Sequence, residues 1–269
     1  MNETSRSLVS ADRPIAFPRV HYLPTEILCE TFQIVLSSAE AKQYYPQLQC
    51  LSAVCRRWWD VVDQFPLFWS RFQQCDGPTL WEKALEKSSS YPLDVWFQGA
   101  LYELQNFLHQ LRPHMDRCRR IRLSYDGAGF KTEDVFEPLF LPAASLETFH
   151  LVDEAGWNYL NKMELFGGQA HSLKEVKLTG IVCDWRSGVF SGLTVLHISW
   201  GTFPTLGHLS RVLKRCNDLQ QLELTYNEFE GDESDPSAWN PVDLPQLRHL
   251  SVGFLTAAIP SSFLTELSR

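Results

Sequence analysis

Leu219-Gln220-Gln221-Leu222-Glu223-Leu224-Thr225-Tyr226-Asn227 is the stretch on which the reading of the fold turns. Leu219, Leu222 and Leu224 set a Leu-x-x-apolar-x-apolar pattern, and its last two apolar side chains share one face of a strand. The pattern returns as Leu146-Phe149-Leu151, Leu173-Val176-Leu178, Leu193-Leu196-Ile198 and Leu247-Leu250-Val252, and Cys118-Ile121-Leu123 reads as an earlier member. The first positions 118, 146, 173, 193, 219 and 247 are 28, 27, 20, 26 and 28 residues apart. Such a period belongs to a unit of one short strand and a returning helix or loop. A single unit cannot bury its apolar edge, but neighbours paired strand to strand build a continuous core.

Period and pattern together resemble the leucine-rich repeat. Only the unit beginning at Leu219 carries the full pattern, with Asn227 where an asparagine side chain bridges loop backbones. Glu154, Ile181 and Gly201 take that place in the other units, so the resemblance is to an irregular form. The expected fold class is α/β: an N-terminal helical segment, then an irregular leucine-rich-repeat solenoid with a parallel curved sheet. Leu151, Leu178, Ile198, Leu224 and Val252 are expected in one buried column. The competing architecture is a compact α/β enzyme domain, which would show one deep pocket lined by several titrating residues.

Working outward from the repeats, Pro92 to Phe97 reads as a strand and Leu80 to Lys87 as a short helix. Residues 100–115 read as an amphipathic helix through Leu101, Leu104, Phe107, Leu108 and Leu111. Leu206, Leu209, Val212 and Leu213 make another helical face, ending at Lys214-Arg215, where positive charge is favourable. Glu228 to Asp235 holds five acidic residues and reads as a solvated loop, with a docking patch for a basic partner as the alternative. Phe263-Leu264 to Leu267 is one more apolar segment before Arg269. Either it caps the array or the sequence is truncated, and truncation is the expectation.

The N-terminal side is organised by residues 19–72, RVHYLPTEILCETFQIVLSSAEAKQYYPQLQCLSAVCRRWWDVVDQFPLFWSRF. Leu23-Pro24 opens a first helix, since proline suits a first helical position. Ile27, Leu28, Phe32, Val35 and Leu36 form a stripe too broad for a helix covered on one side only. Leu48, Leu51, Cys55, Trp58, Val62 and Phe65 mark a second helix. So short a segment is marginal on its own burial, and the excess apolar surface suggests docking on a partner. Leu23-Pro24, Glu26-Ile27-Leu28, Phe32, Val54-Cys55-Arg56-Arg57-Trp58, Pro66 and Trp69 resemble the F-box. The long connection from Ser37 to Gln47 is similar to that of the divergent F-box proteins of mushroom-forming fungi. The domain reading is a flexible tail over 1–17, an F-box over 18–75 and the repeat domain over 76–269, with that domain truncated at its C-terminus.

The resemblance implies a substrate-recognition subunit of an SCF-type E3 ubiquitin ligase. Its F-box would bind a Skp-type adaptor, and through it the cullin and RING subunits, while the repeats hold a target protein. Leu23, Pro24, Ile27, Leu28, Phe32, Val54 and Trp58 are the expected adaptor-binding residues, with Phe32, Val54 and Trp58 open to a second role in holding the helices together. A second function is an adaptor-bound interaction scaffold with no ligase role.

Composition bounds these readings. At 44% hydrophobic and 21% charged residues the chain is that of a globular protein. The formal charge of −8 argues against a nucleic-acid partner, which calls for a basic footprint. No apolar run reaches the length of a membrane span, and the polar start is no signal peptide. Seven cysteines (29, 50, 55, 75, 118, 183, 216) are scattered without a Cys-x-x-Cys, which fits reduced thiols in cytoplasm or nucleus. No nucleophile elbow, P-loop, zinc-helix or dinucleotide fingerprint is present, so no catalytic residue, metal site or cofactor is expected.

Binding remains. With the apolar strand positions inward, Arg122, His150, Lys177, His197, Glu223 and Ser251 form a central column of the opposite sheet face. Beside it run Arg120, Thr148, Glu175, Val195, Gln221 and His249. The aromatics Trp157, Trp185, Trp200, Tyr226 and Trp239 follow the strands and would gather along one rim. The expected target site is Trp157, Trp185 and Trp200 with His150, Lys177, His197 and Glu223. A solvated sheet face, with tryptophans filling gaps between uneven loops, is the plain alternative.

Overall fold

The computed structural model describes residues 22–126, 133–155, 164–229 and 242–254. The chain divides into two compact units, Met1–Gln64 and Phe65–Arg269.

The described part of the first unit is helical, with α1 (Thr25–Ser37), α2 (Tyr44–Ser52) and α3 (Arg56–Gln64). Pro24 precedes α1 rather than being its first member, and its carbonyl accepts the Leu28 N–H at 3.1 Å. The single second helix expected from Leu48 to Phe65 is instead two. α2 begins inside the stretch expected to be a connection, because Tyr44 and Tyr45 are buried, packed edge to face at 5.1 Å. Pro46 falls in its first turn, where a missing N–H breaks no intrahelical bond. Ser52 ends the helix; its hydroxyl donates to the Gln49 carbonyl at 2.8 Å, a local bond that competes with helix continuation. The core of this unit draws on Leu28, Phe32 and Leu36 of α1, Tyr44, Tyr45 and Leu48 of α2, and Val61 and Val62 of α3. The Arg57 guanidinium donates to the Leu23 carbonyl, fixing the chain's entry into α1.

Among the described residues the second unit is built on nine parallel strands: β1 (Arg71–Gln73), β2 (Leu93–Ala100), β3 (Cys118–Asp126), β4 (Thr148–Asp153), β5 (Glu175–Thr179), β6 (Val195–Ser199), β7 (Thr202–Phe203), β8 (Gln221–Phe229) and β9 (His249–Phe254). From β1 to β6 the spatial order is the sequence order; β6 and β9 both pair with β8, and β7 pairs with its far end. Parallel neighbours need a crossover. Among the described residues four of these carry helices: α4 (Pro78–Lys87), α5 (Leu101–Leu111), α6 (Glu133–Phe136) and α7 (Leu206–Lys214). The helix expected over 100–115 ends at Leu111 and continues to Arg117 as a tighter helix containing Pro113. Strand β1 was not anticipated: Phe65–Gln73 reads in sequence as the end of the helical segment, yet Phe72 is wholly buried in the core of the sheet unit. The division between units therefore falls at Gln64–Phe65 rather than after residue 75.

The register is the one set by the repeat spacing. Leu123, Leu151, Leu178, Ile198, Leu224 and Val252 are successive partners across the sheet, as are Ile121, Phe149, Val176, Leu196, Leu222 and Leu250. All are buried up to β8, whereas Leu250 and Val252 are half-buried. β9 has a strand on one side only among the described residues, so the expected burial of Val252 is incomplete. Asn227 is wholly buried; its amide donates to the Ile198 carbonyl at 2.9 Å, and its Oδ1 accepts the Gly201 N–H at 2.8 Å. The one asparagine of the repeat pattern thus ties two successive turns. The expected tail over 1–17, the acidic stretch beyond Phe229, the segment 263–267, Trp157 and Trp239 lie outside the described residues.

Candidate functional site

The helical unit presents apolar side chains that its own core does not use. Ile27, Ile34 and Val35 of α1, Val54 between α2 and α3, and Trp59 of α3 are all exposed, Ile34 to 72% and Val54 to 59%. Ile27 and Ile34 are seven apart and share a helix face. At about 2 kcal/mol for each fully covered side chain, burying the exposed parts of these five gains on the order of 5 kcal/mol. That is a large unmet term for so small a unit.

The structure sorts the expected adaptor-binding residues into two groups. Pro24, Ile27 and Val54 are exposed and Leu23 is half-buried. Leu28, at 1% exposure, and Phe32, at 0%, are core residues and offer no surface, which corrects their assignment as contact residues. Trp58 is half-buried against Phe32, ring centroids 4.7 Å apart, and so holds α3 to α1. Trp59 was missed. The signal was present: adjacent helical residues point about 100° apart, and the apolar line through Cys55, Trp58 and Val62 leaves Trp59 off it. The Arg56 guanidinium lies over the Trp59 ring, 4.4 Å from its centroid, and pairs with Asp60 at 3.1 Å.

On the sheet unit, the face opposite the apolar columns carries an ordered polar ladder. Arg122, His150, Lys177, His197, Glu223 and Ser251 are register partners, beside Arg120, Thr148, Glu175, Val195, Gln221 and His249. Trp96 and Asp94 extend the two columns at β2, and Asp94 pairs with both Arg119 and Arg120. Glu175 Oε1 receives His150 Nε2 at 3.0 Å and Lys177 Nζ at 2.9 Å, while His197 Nδ1 lies 3.4 Å from Glu223 Oε2. Half-burial lowers the pKa of both histidines by penalising their charged form. Burial alone would raise Glu175, but hydrogen bonds from Lys177 and His150 outweigh it and hold the carboxylate below its usual range. The face therefore favours the ionised Glu175 carboxylate and the neutral forms of His150 and His197. Among the described residues His197 Nε2 is buried without a partner.

Of the three tryptophans expected on the rim, Trp185 is overturned as a surface residue. It is 3% exposed, stacked on Phe203 at 4.5 Å and against Phe190 at 5.0 Å, with Nε1 donating to the Thr202 carbonyl at 2.9 Å. Trp157 lies outside the described residues. Trp200 is 54% exposed and stacks on the 53%-exposed Tyr226, centroids 4.8 Å apart and planes 19° from parallel. Each follows Ser199 or Thr225 of its strand at the same offset. Both adopt left-handed backbone, φ 55° and 57°, which costs a non-glycine residue about 1–3 kcal/mol.

Among the described residues, no group of three or more His, Cys, Asp or Glu is placed to hold a metal ion, and no helix is long and apolar enough to cross a membrane. In comparison with known proteins, no family model matches the chain, and no curated protein matches it.

Proposed function

We propose that this chain is a substrate receptor of an SCF-type ubiquitin ligase. In this reading the helical unit is an F-box that docks on a Skp-type adaptor, and the sheet unit is an irregular leucine-rich-repeat solenoid that holds a target protein. The observation that carries the proposal is the exposed apolar set Ile27, Ile34, Val35, Val54 and Trp59, on the same helices that bear the Leu-Pro, Glu-Ile-Leu and Val-Cys-x-x-Trp pattern. The sequence-ordered parallel strands and the Asn227 bridge support the solenoid half.

The chain does no chemistry itself. The adaptor would join it to cullin and RING subunits, and the target's lysine would be held near the charged conjugating enzyme, so its contribution is proximity and orientation. Target contact is assigned to the Trp200–Tyr226 stack and the ladder His150, Lys177, His197 and Glu223. Aromatic anchors beside polar groups suit a protein interface, and the backbone strain at both rings is the kind retained where function needs it.

The experiment is a binding titration of the purified chain against a Skp-type adaptor. Ile27→Asp and Val54→Asp each place a charge on the exposed apolar surface without touching the core, and each is expected to weaken association at least tenfold. Undiminished adaptor binding by both variants sinks the reading. A target captured by the adaptor-deficient variant is expected to be released by Trp200→Ala/Tyr226→Ala.

A further inference from the structure

A separate cavity of about 320 Å³ in the sheet unit is lined by Trp185 and Arg186, from the connection between β5 and β6, and by His208, Arg211, Lys214 and Arg215 of α7 and its end. Four cationic side chains surround one hollow in a chain whose formal charge is −8. Among the described residues its lining includes no carboxylate. None of the four makes an ion pair among the described residues. Asp184, two residues before Arg186, accepts that residue's backbone N–H at 3.0 Å.

Two of the cations, Arg211 and Arg215, are held in place by hydrogen bonds. Arg215 donates to the carbonyls of Trp185 at 2.9 Å, Arg186 at 3.1 Å and Ser187 at 3.2 Å, stapling the loop that carries Arg186 to the end of α7. Arg211 donates through Nε to the Gly207 carbonyl at 3.0 Å, which leaves its two terminal nitrogens without a partner among the described residues. The helix dipole explains Lys214 and Arg215, since positive charge in a last turn gains about 0.3–1 kcal/mol. It does not explain Arg186 in a loop, nor Arg211 one turn earlier on the same side. Like charges converging on a hollow repel one another, and an anion relieves that repulsion.

We propose that this cavity binds a phosphate monoester. Arg186 and Arg211 offer planar forks that match phosphate oxygens two at a time, and Lys214 adds a mobile point charge. The volume lies at the lower end of the range for small organic ligands, so it suits one phosphate with the group that bears it rather than a polymer. Trp185 also lines the cavity. The phosphate could belong to a modified side chain of a protein or to a free organic phosphate; the chemistry at the cations is the same. The site is independent of the ligase reading, because neither the helical unit nor the polar ladder takes part.

The test is calorimetric titration of the full chain at low ionic strength with phenyl phosphate, with phenol as the uncharged control, and with a short tyrosine-phosphorylated peptide. Phenyl phosphate is expected to bind one site saturably and phenol not at all. Arg211→Glu/Lys214→Glu, at two exposed positions, is expected to weaken binding at least tenfold with an unchanged circular dichroism spectrum. Arg186→Glu, on the loop, is expected to do the same and guards against a folding defect in the helix variant. Tighter binding of the peptide than of phenyl phosphate identifies a modified protein as the source, and equal binding identifies a free phosphate. Absence of saturable binding by both phosphates, or binding indifferent to the charge reversals, overturns the proposal.

Discussion

Replacing Asn227 by alanine tests the sheet unit at the point where sequence and packing meet most closely. The side chain is wholly buried and spans two successive turns, donating to Ile198 and accepting from Gly201 at 2.9 and 2.8 Å. Truncation leaves one buried N–H and loses one partner of a buried carbonyl. Each orphaned group costs about 1–3 kcal/mol, so complete exposure of both gives about 2–6 kcal/mol. The void left by the amide is polar and can admit a water that restores part of this. The expected loss is therefore about 2–4 kcal/mol. Gly201→Ala attacks the same joint from the other side, because its Cβ would lie 2.8 Å from Ile198 Cγ2 and 3.1 Å from Asn227 Oδ1. Urea denaturation gives the global change, and hydrogen exchange at the Gly201 amide gives the local one. At about 1.4 kcal/mol per factor of ten, that amide should exchange about 30-fold to 700-fold faster in Asn227→Ala. A loss below about 0.5 kcal/mol with unaltered exchange at Gly201 would refute the bridging role.

Two further expectations concern titrating groups. Asp76 is half-buried with Oδ2 unpartnered, and desolvation raises its pKa from 3.8 to about 7 against an opposing hydrogen bond from Cys75. Its proton is thus held in the folded state and released in the unfolded one between those values, so its contribution to stability falls as pH rises through that window. Asp76→Asn should raise the urea midpoint at pH 8 and leave it unchanged at pH 3.5, and equal midpoints at pH 8 would contradict the burial argument. Among the thiols, Cys50 and Cys75 are exposed, whereas Cys118, Cys183 and Cys216 are buried and their pKa values raised by desolvation, Cys118 to about 12. Maleimide labelling followed by mass spectrometry should modify the first two in the folded protein and the other three only in denaturant; labelling of all five at one rate would exclude the packed core described here.

The strand register was legible because a period-two pattern tolerates no slip. Moving Leu222 and Leu224 by one position would turn both out of the core and bring Glu223 in. Leu-x-x-apolar-x-apolar therefore determined the columns of both faces, including the ladder from Arg122 to Ser251. Burial on the helices was less legible. Ile27 and Leu28 are adjacent, equally apolar and both within one broad stripe, yet one is exposed and the other buried. Hydrophobicity says that a side chain avoids water and not which partner it meets, so core and interface look alike in one dimension. The segment Pro66-Leu67-Phe68-Trp69 misled for a related reason. Its apolar run continues the helical stretch in composition, while the Lys83 amine of the sheet unit lies 4.7 Å from the Trp69 ring. The basic cavity was invisible because Arg186 and Arg211 are distant in sequence and meet only across a crossover.

Trp185 shows how an irregular repeat accommodates its own irregularity. The interval from Leu173 to Leu193 is the shortest of the series, 20 residues against 26 to 28 elsewhere. The next crossover, after β7, carries α7, whose Leu206, Leu209, Val212 and Leu213 bury against the core. The short crossover from Thr179 to Val195 has no helix to fill the matching volume behind β5 and β6. A void of that size would forfeit contacts on every side chain that lines it. Trp185, Phe190 and Phe203 occupy it instead, with ring centroids 4.5 and 5.0 Å apart, joined by Ile181 and Val189. The indole N–H is satisfied by the Thr202 carbonyl, so the large ring brings no orphaned donor into the core. The same shortness sets Arg186 immediately after a buried anchor and within reach of the Arg215 staple. The short crossover that makes Trp185 a core residue thus also brings Arg186 to the cationic cavity.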